Sequence, residues 1–518
     1  MRATARLLRS LSLTLTREEA IAAQLDFRTF VDVLRRDNDL AEIDIEIDPH
    51  LEAGAIVRRV SEVNGKAPLF NNIKGAKNGL WRIFGNAASL RSDEKERYGR
   101  IARNLGLPAT ATWKEISERT MAGKKAPIVP PRILETGPCK KHKLLGDQIN
   151  LHDLPAPYIH DGDGGKYLQT YGLHVLESPD KSWTNWSIFR GMIHDERRLV
   201  CLVGTGQHNS IIRQKWLDIG KTEMPWALAL GVPPAATIAG ALPVPEGVSE
   251  GEYVGAMVGS PLELVKCELS DLLVPANSEI VIEGTFCLTE KAHEGPFGDF
   301  LGIVFDNDTH LNPLFKVDAI TYRDDAILPI SVPGRITDES HTTAALAAPE
   351  LLTLCKSHGL PIIDACSPLE SMGTWCALQV DVPKLGQLGT NSRDFCKRLG
   401  DIIFHNKSTM LFNKIILVDD DIDVYNFRDL IWAYSTRCRP GHDEYPFDDV
   451  ASFPMTPYMS HGGGRDSHRG GKIICDCLFP MEYEGRKEWK PVDFEHSFPA
   501  EVRDKVKARW EEMGFERV

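Results

Sequence analysis

No apolar run in the 518 residues reaches the ~20 needed to cross a bilayer, so a spanning helix is excluded. A basic surface is also missing. The net charge is -13, which argues against non-specific nucleic-acid binding. No CxxC pair occurs among the eleven cysteines, and repeated short-spaced zinc ligands are absent with it. Their odd number, wide scatter and apolar context, as in Phe286-Cys287-Leu288, read as buried free thiols in a reducing compartment. Cys475 and Cys477 are the one close pair, and strand alternation would put both on one face. There is no phosphate loop, because Gly470-Gly471-Lys472 is followed by Ile473, and no strand–GxGxxG–helix dinucleotide fingerprint. Asp161, Asp163 and Gly164 resemble the start of a calcium loop, but residue 172 is Gly where the closing acid belongs. A hydrolytic nucleophile is not expected.

What is present begins with residues 1–16, MRATARLLRSLSLTLT. They carry Arg2, Arg6 and Arg9, several hydroxyl residues, leucines at near-helical spacing and no acid. This is the pattern of a mitochondrial presequence, spanning residues 1–20; the alternatives are a disordered basic tail and, for the protein, a cytoplasmic location. The length predicts two or three domains. Phe27, Phe30, Val31 and Leu34 predict an amphipathic helix, residues 42–47 alternate as a half-buried strand, and residues 51–60 read as helix. This α/β rhythm fills residues 21–140, with a proline-rich connector at 126–131. Residues 141–345 are β-rich, with strands at 280–286 and 326–330 and turns at Gly164-Gly165, Pro233-Pro234 and Gly295-Pro296, as in a barrel or sandwich. Helix is predicted again at 344–354, strand at 415–418 and a helix from 429. Asp419, Asp420, Asp421 and Asp423 read as a solvated strand-to-loop junction. The terminal helix is expected to be capped by Ser497, to start at Pro499, and to pack a Val502, Val506, Trp510 stripe on its own domain or a partner subunit.

Three polar clusters in apolar or glycine-rich settings could carry chemistry. In 183–190, WTNWSIFR, Arg190 ends an aromatic, strand-like segment suited to holding a carboxylate. In 204–208, GTGQH, glycines free the backbone and His208 could ligate a metal. In 293–300, HEGPFGDF, Glu294 and Asp299 can face one cavity across a Gly-Pro-Phe-Gly turn. Close carboxylates in an apolar pocket push their pKa values apart, leaving one protonated to donate.

The runs EGPFGD at 294–299, TNWSIFR at 184–190, GRITDESHT at 334–342, STRCRPG at 435–441 and HRGGK at 468–472 resemble the UbiD family of reversible decarboxylases. Within it, the likeness is to fungal ferulic (phenylacrylic) acid decarboxylases, from about residue 27 to the C-terminus. The resemblance implies a mixed α/β (α+β) architecture: an N-terminal α/β region, a central split β-barrel that binds flavin (141–345), a linker helix (346–375) and a C-terminal α/β oligomerisation domain (376–518). It implies prenylated FMN, Mn²⁺ and K⁺. Asn185, His208 and Glu250 would hold Mn²⁺, a donor set that suits it. Asn185, Trp186, Ser187, Ile188, Phe189, Arg190, Gln207, His208, Glu250 and Lys407 would contact the flavin. Trp186, Ala239, Gly240, Leu242, Glu250 and Asp476, with Arg437 adjacent, would surround K⁺.

The implied reaction is reversible, non-oxidative loss of CO₂ from a cinnamic- or ferulic-type acid by 1,3-dipolar cycloaddition, with Asp299 as proton donor and Glu294 and Arg190 as its partners. A hydroxybenzoate, polyprenyl-benzoate or heteroaromatic acid is the alternative substrate. A non-catalytic flavin-binding structural protein is the alternative of another class. The resemblance further implies a homodimer and a flavin prenyltransferase as cofactor supplier. Three positions depart from the fungal pattern. Asp299 stands where Glu is usual, Gly204 and Ala344 replace bulkier residues, and Gly240-Ala241 replaces a serine pair near the potassium site.

Overall fold

The computed structural model describes residues 14–77, 79–204, 207–335, 337–461, 469–478 and 491–515. Most of the expected presequence lies outside them. Residues 17–20, assigned with it, belong to the fold: helix Arg17–Leu25 is capped by Thr16, whose hydroxyl accepts the Glu19 N–H.

Helix Phe27–Arg36 forms as its spacing predicts, with Asp26 accepting the Thr29 N–H at 2.8 Å and Phe27 edge-on to Phe84 at 5.5 Å. It covers a four-stranded sheet in the order Leu40–Ile43, Ala67–Phe70, Arg82–Gly85, Ile327–Ile330. Two expectations change here. The strand at 42–47 ends at Ile43, which pairs with Phe70, the last residue of its neighbour; Ile45 is 73% exposed. The strand at 326–330 leaves the barrel region and lies parallel to Arg82–Gly85, because its four buried residues need cover on both faces.

The central sheet has nine strands, all antiparallel. Its order is Tyr167–Gln169, Gly191–Ile193, Arg198–Cys201, His310–Tyr322, Ile280–Glu294, Glu223–Leu230, Gly172–Glu177, Thr184–Ser187, and His142–Leu145 pairs with His310–Tyr322. It curls into a half-barrel. The long strand Ile280–Glu294 shifts register at Glu283/Gly284 and again between Phe286 and Lys291, and such irregularities bend a strand. At Gly284 a Cβ would stand 1.9 Å from the Lys316 carbonyl oxygen, so only glycine permits the first bend. Trp226, Phe286 and Phe315 pack together in its core. A small sheet, Leu273–Pro275, Glu263–Lys266 and Arg132–Leu134, joins this region to the chain after the proline-rich connector.

The helix expected at 344–354 is two, Glu339–Ala345 and Ala348–Ser357, with Pro349 in the first turn of the second. The expected linker at 346–375 also contains Ile362–Cys366, an edge strand of the C-terminal sheet. That sheet runs Ile362–Cys366, Trp375–Val380, Lys414–Val418, Arg469–Asp476, Glu444–Ala451. The acidic junction after Lys414–Val418 is not simply solvated: Asp419 is buried, and Arg437 pairs with Asp421 at 2.5 Å. The terminal helix spans Ala500–Ala508 with Pro499 in the cap position, while Ser497 accepts the Asp493 N–H instead. Trp510 falls beyond the helix and stacks on Phe515. No residue of this helix is buried. All eleven cysteines are buried and unpaired, and among the described residues no helix is long and apolar enough to cross a membrane.

Candidate active site

Strand Ile280–Glu294 delivers Glu294 at its end, and the following turn brings Asp299 back to the same guanidinium. Arg190 donates to Glu294 twice, Nε to Oε1 at 2.7 Å and Nη2 to Oε2 at 2.9 Å, while its Nη1 donates to Asp299 Oδ2. The Tyr167 hydroxyl adds a 2.6 Å bond to Glu294 Oε1, and Asn312 Nδ2 one of 3.3 Å to Oε2. Four donors thus saturate the lone pairs of a fully buried Glu294. Asp299 is less committed. It accepts from Arg190 and from the Phe300 N–H, and its side chain is 22% exposed. Its dense surroundings raise its pKa above the ordinary carboxylate value, outweighing the opposing Arg190 charge. The Arg190 pKa is raised too: burial works against its charge, but Asp299 and Glu294 outweigh it. Phe297 lies under the guanidinium, with the ring 5.0 Å from its carbon.

Sequence reasoning missed what holds this turn. Asp163, in the rejected calcium-like loop, accepts the Gly298 N–H at 3.0 Å, and the Gly164 N–H donates to the Pro296 carbonyl at 2.8 Å. A Cβ on Gly164 would stand 1.9 Å from the Gly295 oxygen. The 188–190 segment is anchored by buried His174, whose Nε2 lies 2.9 Å from the Phe189 carbonyl while Nδ1 accepts from Trp226 Nε1. Both contacts need the neutral Nε2–H tautomer, and burial lowers the His174 pKa to about 3. The glycine-acid turn at 162–164 offered a cue to Asp163; Tyr167, His174 and Asn312 offered none.

The second cluster forms around Glu250, the first residue of helix Glu250–Val258. Asn185 Nδ2 donates to its Oε1 and the Trp186 N–H to its Oε2, each at 2.8 Å. Both donors are neutral, and burial raises the Glu250 pKa to about 7. His208 opens helix His208–Asp218; burial first, then the charge of Lys407, lowers its pKa to about 4. Trp183 links the two, edge-on to His208 at 5.0 Å and bonded to the Val248 carbonyl two residues before Glu250. Gly240 lets helix Pro234–Ala241 close on this cluster, since a Cβ there would meet Leu173 at 2.4 Å and the Trp186 oxygen at 3.5 Å. Asp476 and Arg437 are tied into the C-terminal domain, through Ser392 and the Leu478 N–H, and through Asp421.

Gly247-Val248-Ser249-Glu250-Gly251 has GxSxG spacing, yet Ser249 caps a helix from a loop and its hydroxyl accepts the Thr184 N–H, so it is no strand-to-helix nucleophile elbow.

The 3-octaprenyl-4-hydroxybenzoate carboxy-lyase (UbiD) family models match over most of the chain: the N-terminal domain at 31–120, the Rift-related domain at 132–336 and the C-terminal domain at 340–477. The chain belongs to the UbiD family and is a carboxy-lyase. It is 47% identical over 495 residues to ferulic acid decarboxylase 1 of Saccharomyces cerevisiae, covering 95% of this chain and 98% of that protein. It is 41% identical over 494 residues to pyrrole-2-carboxylic acid decarboxylase of Pseudomonas aeruginosa, covering 95% and 98%. Its fold matches the closed form of Sedimentibacter hydroxybenzoicus vanillic acid decarboxylase (TM-score 0.79, 24% identity, 95% of this chain and 99% of that one). It also matches the FMN complex of HmfF from Pelotomaculum thermopropionicum (TM-score 0.75, 23% identity, 90% and 97%).

Proposed function

We propose that this protein removes CO₂ from an α,β-unsaturated aromatic acid of the cinnamic or ferulic type, with prenylated FMN as cofactor and Asp299 as proton donor. The observation that carries this reading is the Arg190 bridge between a saturated Glu294 and an Asp299 whose pKa is raised. Arg190 and Glu294 fix the donor and give the substrate carboxylate a cationic neighbour. Asp299 keeps a proton to deliver to the carbon that CO₂ leaves. Prenylated FMN, when bound, supplies the electron sink that such a carbon lacks.

The residues present fit the cofactor's ions. A buried carboxylate with only neutral donors, a neutral imidazole and a carboxamide form a donor set for Mn²⁺, which Asn185, His208 and Glu250 would hold against the flavin phosphate. Gln207 and Lys407 flank it. K⁺ would sit by Trp186, Ala239, Gly240, Leu242 and Glu250, with Asp476 and Arg437 beyond. The unburied terminal helix supports a homodimer built on the C-terminal domain, and residues 1–16 support mitochondrial delivery. A flavin prenyltransferase would supply the cofactor.

The 41% identity to a pyrrole-2-carboxylate enzyme keeps a heteroaromatic substrate as the second reading. Co-expression with a flavin prenyltransferase, then CO₂ release from cinnamate, sorbate, hydroxybenzoate and pyrrole-2-carboxylate side by side, decides between them. Turnover of pyrrole-2-carboxylate or hydroxybenzoate alone would overturn the first.

A further inference from the structure

Cysteines that stand far apart in sequence meet at the end of the C-terminal sheet. Cys475, near the end of strand Arg469–Asp476, is directly opposite Glu444 at the start of the antiparallel strand Glu444–Ala451, so their side chains share one face. Cys438 stands at the C-cap of helix Phe427–Arg437. The Cys438 and Cys475 sulfurs and a Glu444 carboxylate oxygen all lie within 4.8 Å of one another. The Cys477 thiol stands beside Cys438, outside that group of three, and donates to the Cys475 carbonyl oxygen. A turn holds the group: the Gly441 N–H donates to Glu444 Oε2 at 2.9 Å and the Asp476 N–H to the Asp443 carbonyl at 2.8 Å.

We infer that Cys438, Cys475 and Glu444, with Cys477 alongside, form a binding site for a thiophilic divalent cation such as Zn²⁺, separate from the cluster around Glu250. Two sulfurs and a carboxylate converging on one point are a borderline-soft donor set, and such ions take four of them. The local charge favours a cation over a disulfide. Glu444 shares the thiols' face, and Asp443 and Asp476 add negative charge nearby while bonded to Arg439 and His442 and to Ser392; Lys414 and Arg439 are the nearby positive groups. A disulfide would leave the Glu444 carboxylate beside it with no cation, held by the turn's Gly441 N–H. Metal bound here would clamp a helix end to two strands, making the site a brace for the strand pair that carries Asp476.

The test is Cd²⁺ titration of the full-length, flavin-loaded enzyme, read by the thiolate-to-cadmium charge-transfer band in the ultraviolet. The oxygen and nitrogen donors around Glu250 cannot give that band. One equivalent per chain with the band, and a higher melting temperature on adding Zn²⁺, are expected. Cys475→Ser should abolish the band, and Glu444→Gln, which leaves every thiol in place, should weaken the affinity roughly tenfold or more. Cys396→Ser, a buried thiol elsewhere in the same domain, should change neither. Absence of the band in the wild type, or a band that survives Cys475→Ser, or no change of affinity in Glu444→Gln, overturns the proposal.

Discussion

Replacing Asp299 with Asn removes the transferable proton and keeps the size and shape of the side chain. The carboxylate accepts from two donors, the Phe300 N–H at Oδ1 and Arg190 Nη1 at Oδ2. An amide offers one oxygen, so one of those donors loses its acceptor, a local cost of about 1–3 kcal/mol. Glu294 keeps its four donors, and the Glu250 cluster is untouched, so flavin content should stay at the wild-type level. Turnover should fall by about 10²–10⁴, the usual worth of a general acid. That corresponds to about 2.7–5.4 kcal/mol of barrier. Asp299→Glu, which keeps the transferable proton and lengthens the reach by one methylene, should retain turnover to within about tenfold of wild type. The pH profile gives a second readout. Burial disfavours the Asp299 anion, so the acid stays protonated above the ordinary carboxylate range, and kcat should decline as pH rises through its raised pKa. In Asp299→Asn that limb should vanish. The assay is CO₂ release under saturating acid, with flavin quantified by absorbance. An Asn variant that turns over within about tenfold of wild type, or loses flavin in proportion to activity, would refute the assignment.

How much of this was legible beforehand depends on where the information lies along the chain. Helix Phe27–Arg36 and strand Lys414–Val418 follow from local period, since each buries one stripe or one short run against a neighbour. The strand Ile327–Ile330 was recognised, but its sheet was not: nothing local says that it pairs with Arg82–Gly85, some 240 residues earlier. The alternation at 42–47 overreached for the same reason, because a strand ends where its partner ends, and Phe70 is not visible from Ile43. The site divides likewise. Arg190, Glu294 and Asp299 stand in motifs that resemblance picks out, and the structure brings all three into contact. Tyr167, Asn312 and His174 act through one or two hydrogen bonds each from separate strands, a role that leaves no local spelling. The cluster of Cys438, Glu444 and Cys475 was unreadable for a related reason, since its spacing is set by a strand pairing and a helix end rather than by a short repeat.

Three further outcomes follow from packing and charge. Gly164→Ala would drive a methyl into the Gly295 carbonyl, and the turn carrying Asp299 must shift. Misplacement near 1 Å should lower turnover by about 10²-fold, with flavin content unchanged as the control. Glu250→Gln should strip the divalent metal on desalting, measured by elemental analysis. In the wild type, metal retention should weaken as pH falls below about 7, because protons compete for a carboxyl whose pKa burial raises to that value. The last concerns Lys472, only 2% exposed, whose ammonium donates to the Met410 carbonyl at 2.8 Å and whose pKa burial lowers to about 7 from 10.5. The unfolded chain therefore binds more protons than the native one between about pH 7 and 10.5. The penalty is absent above the unfolded pKa, grows as pH falls, and reaches its full size below about 7. At 1.36 kcal/mol per unit that size is about 4–5 kcal/mol at most. Lys472→Met keeps the stem and removes the charge, while leaving the Met410 carbonyl without its donor at a cost of about 1–3 kcal/mol. The net is a gain of about 2 kcal/mol near neutrality, which shrinks and then reverses as pH approaches 10.5. Thermal melts of the two proteins from pH 6 to 10 check the sign: the wild-type midpoint should gain on the variant as pH rises. Parallel curves would mean that Lys472 keeps its charge in the folded protein.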